Sequence, residues 1–587
     1  MATPTNGSRR YLLVILAVFA AILAYFAWRA ARPASLNAPG TIVPAGPSRG
    51  GELVASGRTE PTTYNRLVDP SAAGELLSTL TQATLVRVNR VNDQLEPWLA
   101  ERWTVSSDGL TYTITLRQGL TFSDGAPLTS ADVLFTFRAL YDPKVNSVMT
   151  KEVQVAGQPP QFEAPDPATV IVRLPAPFAP GLRLIDSIPI LPRHKLEAAL
   201  NSGRFADAWS TATPLGEIAS LGPFVLTEHV SGQRLVFKRN PRYWRRDAAG
   251  MALPYLDTLT LLVIPDQNTE ALRMQAGELD LMSSGEIRPE DYAAFKRLNE
   301  QGTLRLIDGG IGLDPNLLWF NLSPSRSADP RSGWFAQPAF RKAVSCAVDR
   351  QAIANAVYLG AAVPIFGPVT SRNTTWYSAP ASPCDRDQAK ARDLLTSIGL
   401  VDRNGDGMLD DAEGVTARFS VLTQRGHSIR ERTIAVLQEQ LRQIGLTVEL
   451  VAVDPGAIFK RYAEGDYDSV YYGVQTSATD PGLNPSFWLS SGSFHFWNPN
   501  QKTPATDWEA RIDKLMLQQA SVADLTERQR LFAEVQGIFA EEMPAIYLVA
   551  PKVTLAVSTR VSNLQPVPQI PQLLWNAESL AVTGPRR

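Results

Sequence analysis

The sequence predicts an α/β protein of mixed strands and helices, and three observations point there. Segments of period two alternate with segments of helical period from Glu52 almost to the C-terminus. Cap residues stand at the right spacing before several helical stretches, as in Thr129/Asp132 and Asp524/Glu527. The 44 prolines and 39 glycines are spread along the chain, which marks many turns and not one disordered tract.

The 587 residues suggest roughly three to four domains. A net charge of -2 lacks the basic field a nucleic-acid binder needs, so no nucleic-acid partner is expected. Two cysteines exclude a disulfide scaffold and a four-thiolate zinc site. Cys346 lies in an apolar, helix-like segment and reads as a buried thiol. Cys384 stands in a Pro/Ser-rich loop, and an oxidising compartment would allow a single bridge between them.

Arg9 and Arg10 precede an uncharged apolar run, Tyr11–Trp28. As a helix it would extend about 27 Å at 1.5 Å per residue, enough to cross a bilayer. It reads as a signal peptide or a retained anchor. The long apolar region and Trp28-Arg29 at the place of a small-residue cleavage site favour the anchor, with residues 1–10 in the cytoplasm and the bulk outside. Residues 29–51 read as a Pro/Gly/Ala/Ser-rich linker. Within it, Gly46-Pro47-Ser48-Arg49-Gly50 has the letters of a nucleophile elbow. It lacks the strand before and the helix after that an elbow requires.

Glu52 opens the body with the strand candidate ELVAS, and residues 70–100 read as helical. From Glu96 to Pro143 the pattern is strand, turn, strand, turn, capped helix. Asp108-Gly109 suits a hairpin turn. Tyr112, Ile114 and Leu116 alternate with threonines as in a half-buried strand. Thr129 and Asp132 have capping-box spacing ahead of Val133, Leu134 and Phe137, and Pro143 closes the helix.

The residues of this stretch, W-x-V-S-x-D-G-L-T-Y-T-I-x-L-R-x-G-L-x-F-x-D-G-x-P-L-T-x-x-D-V from Trp103 to Val133, resemble the family-5 extracytoplasmic solute-binding proteins. These are the peptide-, nickel- and oligosaccharide-binding components of ATP-binding cassette (ABC) importers. Further motifs resemble the same family: Gly222-Pro223-Phe224, Asn240-Pro241-Arg242-Tyr243-Trp244, Gly277-Glu278-Leu279-Asp280, Ala347–Arg350 and Met543-Pro544. The resemblance covers about residues 50–585. It implies a periplasmic-binding-protein-like fold (type C) of two lobes with mixed sheets and a hinge. Domain I would take residues 52–95, 222–312 and 553–587, domain II 96–221, and domain III 313–552.

In chain order, strands are expected at Thr169–Leu174, Leu221–Leu226, Leu259–Ile264, Leu317–Leu322, Ala417–Leu422, Leu446–Val453, Tyr467–Val474 and Ile546–Val549. Helices are expected over Asp266–Gly277, through Phe340, Val344 and Val348, over Ala389–Gly399 and Thr433–Gly445, and after Asp524 with the stripe Phe532, Val535 and Phe539.

Two constellations could carry chemistry. Asp402–Glu413 has a complete EF-hand-type ligand set: Asp402, Asn404, Asp406, the carbonyl of Met408, Asp410 and Glu413, with Gly407 at the turn. A helix precedes it but a strand follows, so a single structural Ca²⁺ loop is expected and not a sensor pair. The second is Gly465–Asn498, with Asp480-Pro481 and the aromatics Phe487, Trp488, Phe494, Phe496 and Trp497. The resemblance implies that Asp480 pairs with the α-amino group of a peptide ligand. It also puts Thr59–Asp69 at the cleft, which makes Tyr64 and Asn65 candidate contacts beside Trp488, Phe494 and Trp497. Gln475-Thr476-Ser477 stands where the family has a Trp.

Four histidines form no metal-ligand spacing, and no phosphate-binding loop occurs. The expectation is a non-enzymatic, monomeric binding component of an importer at the outer face of the cytoplasmic membrane. It would take a peptide or other small solute and pass it to permease subunits. The alternatives are a tethered ligand sensor without transport and a Ca²⁺-supported hydrolase on the same fold.

Overall fold

The computed structural model describes residues 49–69, 71–147, 149–326, 328–379, 384–473 and 479–584. The expected anchor at 11–28 and the elbow-like pentapeptide up to Ser48 lie outside them. Among the described residues no helix is long and apolar enough to cross a membrane.

The largest sheet has eight strands. Seven run in the order Leu304–Ile311, Val549–Ser558, Leu281–Glu286, Glu52–Gly57, Thr258–Val263, Arg234–Arg239, Phe224–Val230, and the short strand Ala362–Pro364 pairs with Val549–Ser558. It is mixed: Glu52–Gly57 runs parallel to both of its neighbours, and the other pairs are antiparallel. Both its faces are covered, because Leu53 and Ala55 enter one core cluster while Val54 enters another. That explains why ELVAS reads as a continuous apolar run and not as an alternation.

The stretch from Trp98 onward builds a four-stranded antiparallel sheet in the order Ala100–Val105, Thr111–Leu116, Thr169–Arg173, Gln161–Asp166. Gly109 takes φ 71° in the hairpin turn, where a side chain would be strained. Tyr112, Ile114 and Leu116 point into the core as the alternation predicts. The helix Ser130–Tyr141 packs on this sheet through Phe137, whose ring stacks on Phe162 at 3.7 Å. Its capping box is present, with the Thr129 N–H donating to Asp132 Oδ2 at 2.9 Å.

A five-stranded sheet runs Thr447–Val453, Arg418–Gln424, Ser469–Gly473, Asn316–Phe320, Ala545–Tyr547. Arg418–Gln424 is parallel to both of its neighbours.

Two chain segments pass directly from this sheet into the large one. Leu304–Ile311 pairs with Val549–Ser558 in the large sheet; beyond Gly312–Pro315 and Leu548 the same segments, Asn316–Phe320 and Ala545–Tyr547, pair in the smaller one. The Gly312 N–H donates to Pro551 O at 2.8 Å within the crossing. At Gly309 a Cβ would stand 2.8 Å from the Val553 Cγ1 methyl and 3.1 Å from Val553 O, so a side chain there would require Val553 to shift. Double crossings of this kind can serve as hinges, because few residues need to change φ and ψ for the two sides to rotate.

The structure corrects two expectations. Within 70–100 only Ala72–Thr81 is helical; Val86–Asn89 and Gln94–Pro97 form a hairpin. Val86 and Val88 favour strand, and Asp93 turns the chain at φ 57°. Cys346 is not a free thiol but is bridged to Cys384 across 38 residues. The helix Pro338–Ala347 presents Cys346 to the loop that carries Cys384. Elsewhere the expected strands and helices form with shifted ends. The helix over Thr433–Gly445 is observed as Ser428–Arg442, because His427 caps it five residues earlier.

Candidate functional site

The first two sheets meet the third where the hairpin turn at Asp93 and the segment 179–183 face Thr479, Gly482 and Ala520. Thr479 Oγ1 donates to Asp93 Oδ1 at 2.8 Å. Arg183 Nη1 holds the same oxygen at 3.1 Å, and its Nη2 donates to the Asp93 carbonyl. The Ala179 N–H donates to Ala520 O at 2.6 Å. Leu483 packs against the core of the first two sheets. A further contact, Arg432 with Glu290 at 3.5 Å, joins the third sheet's side to the large sheet's side.

Beside the crossing lies a cavity whose described lining residues all fall between Leu313 and Phe532. Leu313 of the crossing forms one wall, Pro368–Thr370, Asn373 and Trp376 another, and Thr479, Pro481, Asn484, Phe487, Trp488 and Phe532 the rest. Its free volume is about 40 Å³, room for a few waters. Asn373 Nδ2 donates to Thr479 O at 2.9 Å. Thr479 thus joins the cavity wall to the inter-lobe contact.

Asp480 is buried behind this wall and faces a fixed cation. Arg528 Nη2 and Nη1 hold its two oxygens at 2.6 and 3.0 Å. The Gly482 N–H donates to Oδ1 at 2.9 Å, and the Asp480 side chain caps the short turn Pro481–Leu483. Arg528 is held in turn by Gln519 and lies over the Trp376 ring, 4.8 Å from its centroid. Both charges are compensated inside the protein. In this structure Asp480 fixes the cavity wall, and the expected pairing with a ligand ammonium would compete with Arg528.

The other expected contacts separate. Trp488 lines the cavity, packed edge-on to Phe532 and Phe487. Phe494 is exposed and leans on Phe496. Trp497 is 1% exposed and sits among His495, Phe487 and Phe539, so it is core. Asn65 is fully buried, with its amide on Phe205 O and its carbonyl oxygen on the Leu67 N–H, so it shapes the loop and offers no surface. Tyr64 is buried, its Oη 2.7 Å from His229 Nδ1. Burial, then the charge of Glu60, pushes its phenol pKa up. Glu60 is itself held below the usual carboxylate range by its hydrogen bond with His229 and by the Gly232 amide. His495 is also core, 2.9 Å from Glu509.

The residues that sequence reasoning missed are Arg528, Trp376, Asn373, Asp93 and Arg183. Arg528 left a signal: it stands four residues before Phe532 on the apolar stripe of the helix Leu525–Glu542, where a charge requires a buried partner.

In the loop Asp402–Glu413 the Asp402 carboxylate accepts from the Gly405 and Gly407 amides, Asp406 from Met408, and Asn404 from Asp406. Asp410 is buried and accepts from Thr416 Oγ1 at 2.9 Å. The donors are all oxygen, the chemistry Ca²⁺ takes. Among the described residues, no three His, Cys, Asp or Glu side chains converge as a metal site.

Mixed sheets joined by a double strand crossing are the architecture of the periplasmic-binding-protein-like class. Residues 94–496 match the model of the bacterial extracellular solute-binding proteins, family 5. The chain belongs to that family, whose members are the binding components of ABC importers. It is 26% identical over 585 residues to the oligopeptide-binding protein AppA of Bacillus subtilis, covering 97% of this chain and 98% of AppA. A probable ABC transporter-binding protein of Deinococcus radiodurans is 25% identical over 571 residues, 94% of each chain. The glutathione-binding protein GsiB of Salmonella typhi is 28% identical over 480 residues, 80% of this chain and 83% of GsiB. The structure of AppA in complex with a nonapeptide shares the fold, with a TM-score of 0.70 at 24% identity over 92% of this chain and 100% of AppA.

Proposed function

We propose that this protein is the extracytoplasmic substrate-binding component of an ABC importer, taking a peptide-like solute between two closing lobes and delivering it to permease subunits. The observation that carries this reading is the match of residues 94–496 to the family of extracellular solute-binding proteins, and the double crossing between the two sheets supplies a connection about which two lobes rotate. Relatives that bind oligopeptides and glutathione support a peptide-like solute.

In the same proposal the chain acts as a monomer, held at the outer face of the cytoplasmic membrane by the apolar run Tyr11–Trp28. Its three domains follow the three large sheets, with boundaries near residues 96, 222, 313 and 553. In this proposal Trp488, Tyr64 and Phe494 contact the solute. Ca²⁺ is a structural ion of the loop 402–413.

The test is mass spectrometry of solutes released on denaturing the full chain, purified without refolding from its native host. Release of peptides or peptide-like compounds is the expected result. Release of other solute classes alone, or of none, counts against the reading.

A further inference from the structure

One of the two crossing segments passes between the sheets at Tyr547 and Leu548, and a buried cation holds it there. Arg350 is 1% exposed. Its Nε donates to Tyr547 O at 3.0 Å and to Ile365 O at 3.1 Å. The Ile365 N–H donates in turn to Leu548 O at 3.1 Å. Arg350 therefore fixes the peptide plane between Tyr547 and Leu548, where the chain leaves the five-stranded sheet for the eight-stranded one. A rotation of the sheets that uses ψ of Tyr547 or φ of Leu548 turns this carbonyl and costs the bond.

The charge of Arg350 is compensated from one place. Among the described residues its one ion pair is with Asp385, whose Oδ1 lies 3.1 Å from Nη1 and also accepts from the Arg350 N–H at 3.3 Å. The other donors meet neutral acceptors: Nη1 donates to Ser345 O at 3.0 Å and Cys384 O at 3.4 Å, and Nη2 to Ser345 Oγ at 2.7 Å. Burial pushes the Arg350 pKa down, and the bond with Asp385 opposes that shift.

Asp385 is exposed, so the chain on either side of it sets its position. On one side stands Cys384, bridged to Cys346. On the other, the Arg386 N–H donates to Val348 O at 2.9 Å and the Asp387 N–H to Cys346 O at 2.8 Å. We propose that Arg350 is a positioning residue of the crossing, and that the Cys346–Cys384 bridge makes its grip redox-sensitive by holding Asp385 against it. Cys346 is 1% exposed and Cys384 half-buried, so Cys384 is the sulfur more open to a small dithiol. The dithiol gives two electrons and two protons to the bridge; the S–S bond breaks to two thiols, and the dithiol closes to its own disulfide. Asp385 then loses one of its tethers. A buried guanidinium that loses its carboxylate is drawn toward water, away from the Tyr547 carbonyl.

Amide hydrogen exchange read by mass spectrometry on the full chain in mild detergent tests this. It needs no solute, so its outcome is independent of the importer reading. Asp385→Asn is expected to speed exchange over residues 546–550 by about tenfold and to leave the strand Thr111–Leu116 in the four-stranded sheet unchanged. Dithiothreitol should speed exchange over the same residues severalfold in wild type, and Cys346→Ser with Cys384→Ser should reproduce that pattern. The reductant should add nothing in Asp385→Asn, because the bridge acts through that carboxylate. Unchanged exchange over 546–550 in Asp385→Asn, or an acceleration spread evenly along the chain, overturns the positioning role. Equal responses to dithiothreitol in Asp385→Asn and wild type, or none in wild type, overturn the redox link.

Discussion

Arg528 holds both carboxylate oxygens of Asp480, at 2.6 and 3.0 Å, with each side chain less than a tenth exposed. Removing one partner strands the other charge where water does not reach it. Arg528→Met is therefore expected to cost about 3–5 kcal/mol of stability, read as a lower denaturant midpoint. Asp480→Asn combined with Arg528→Gln should recover much of that loss, since neither charge then remains. If each single variant lost as little as the double, the pair would not be the interior element described here.

The Cys346–Cys384 bridge closes a loop over 38 residues. In the chain-entropy account such a cross-link restricts the unfolded chain by about 4 kcal/mol. Reduction, or the double change Cys346→Ser and Cys384→Ser, is expected to lower the melting temperature and to leave the folded circular dichroism spectrum unchanged. An equal melting temperature with and without reductant would show that the bridge adds nothing to stability.

How much of this was legible in the sequence depended on whether the deciding contacts were local. The hairpin at Asp108-Gly109, the capping box at Thr129 and the stripe on Leu525–Glu542 depend on neighbours in the chain, and each forms as read. Asp480 was found, but its partner Arg528 lies 48 residues away, so the ion pair that compensates it was not legible. Asn65 and Trp497 look like cleft residues by type and order, yet burial is a property of the packed whole. The Thr479–Asp93 contact spans 386 residues and two lobes, and no periodicity reports it.

The Asp186 carboxyl is pushed up to about 6, chiefly by burial; Arg90 and Arg183 oppose the shift, and Glu75 and Asp93 add to it. A raised carboxylate pKa means the folded state binds more protons than the unfolded one between about 4 and 6. Its contribution to stability is therefore fully present below about pH 4 and is lost as pH rises through about 6. One pKa unit corresponds to about 1.4 kcal/mol, and some water reaches this half-buried group. Asp186→Asn should then be more stable than wild type by about 1–2 kcal/mol at pH 7, with the difference vanishing near pH 4. Denaturant midpoints at both pH values test it, and a variant less stable at pH 7 would reverse the sign.

The Asp402–Glu413 loop has a complete set of oxygen donors for Ca²⁺, and Asp402 and Asp406 are turned onto the loop's own amides. A bound ion would take over those oxygens and stabilise the folded state by mass action, about 2.7 kcal/mol at a hundredfold excess over Kd. The melting temperature is expected to rise on titrating Ca²⁺ into chelator-treated protein, and the rise should disappear in Asp402→Ala. An unchanged melting curve would remove the loop as a calcium site.

Thr479 connects the cavity wall to the opposite lobe through one hydroxyl donated to Asp93. Thr479→Val keeps the shape and deletes the donor. A hydrogen bond to a charged acceptor contributes about 1.5–3 kcal/mol, and this one forms only while Thr479 and Asp93 are in contact. Asp93 remains paired with Arg183, so the loss is confined to closure. The variant is expected to shift the population of the ligand-free protein toward the open form by roughly tenfold or more, and to weaken solute binding by a similar factor. Small-angle scattering should show a larger radius of gyration for Thr479→Val than for wild type, with the two converging at saturating solute. Equal radii without solute would mean that closure is held by the Ala179–Ala520 and Leu483 contacts and not by this hydroxyl.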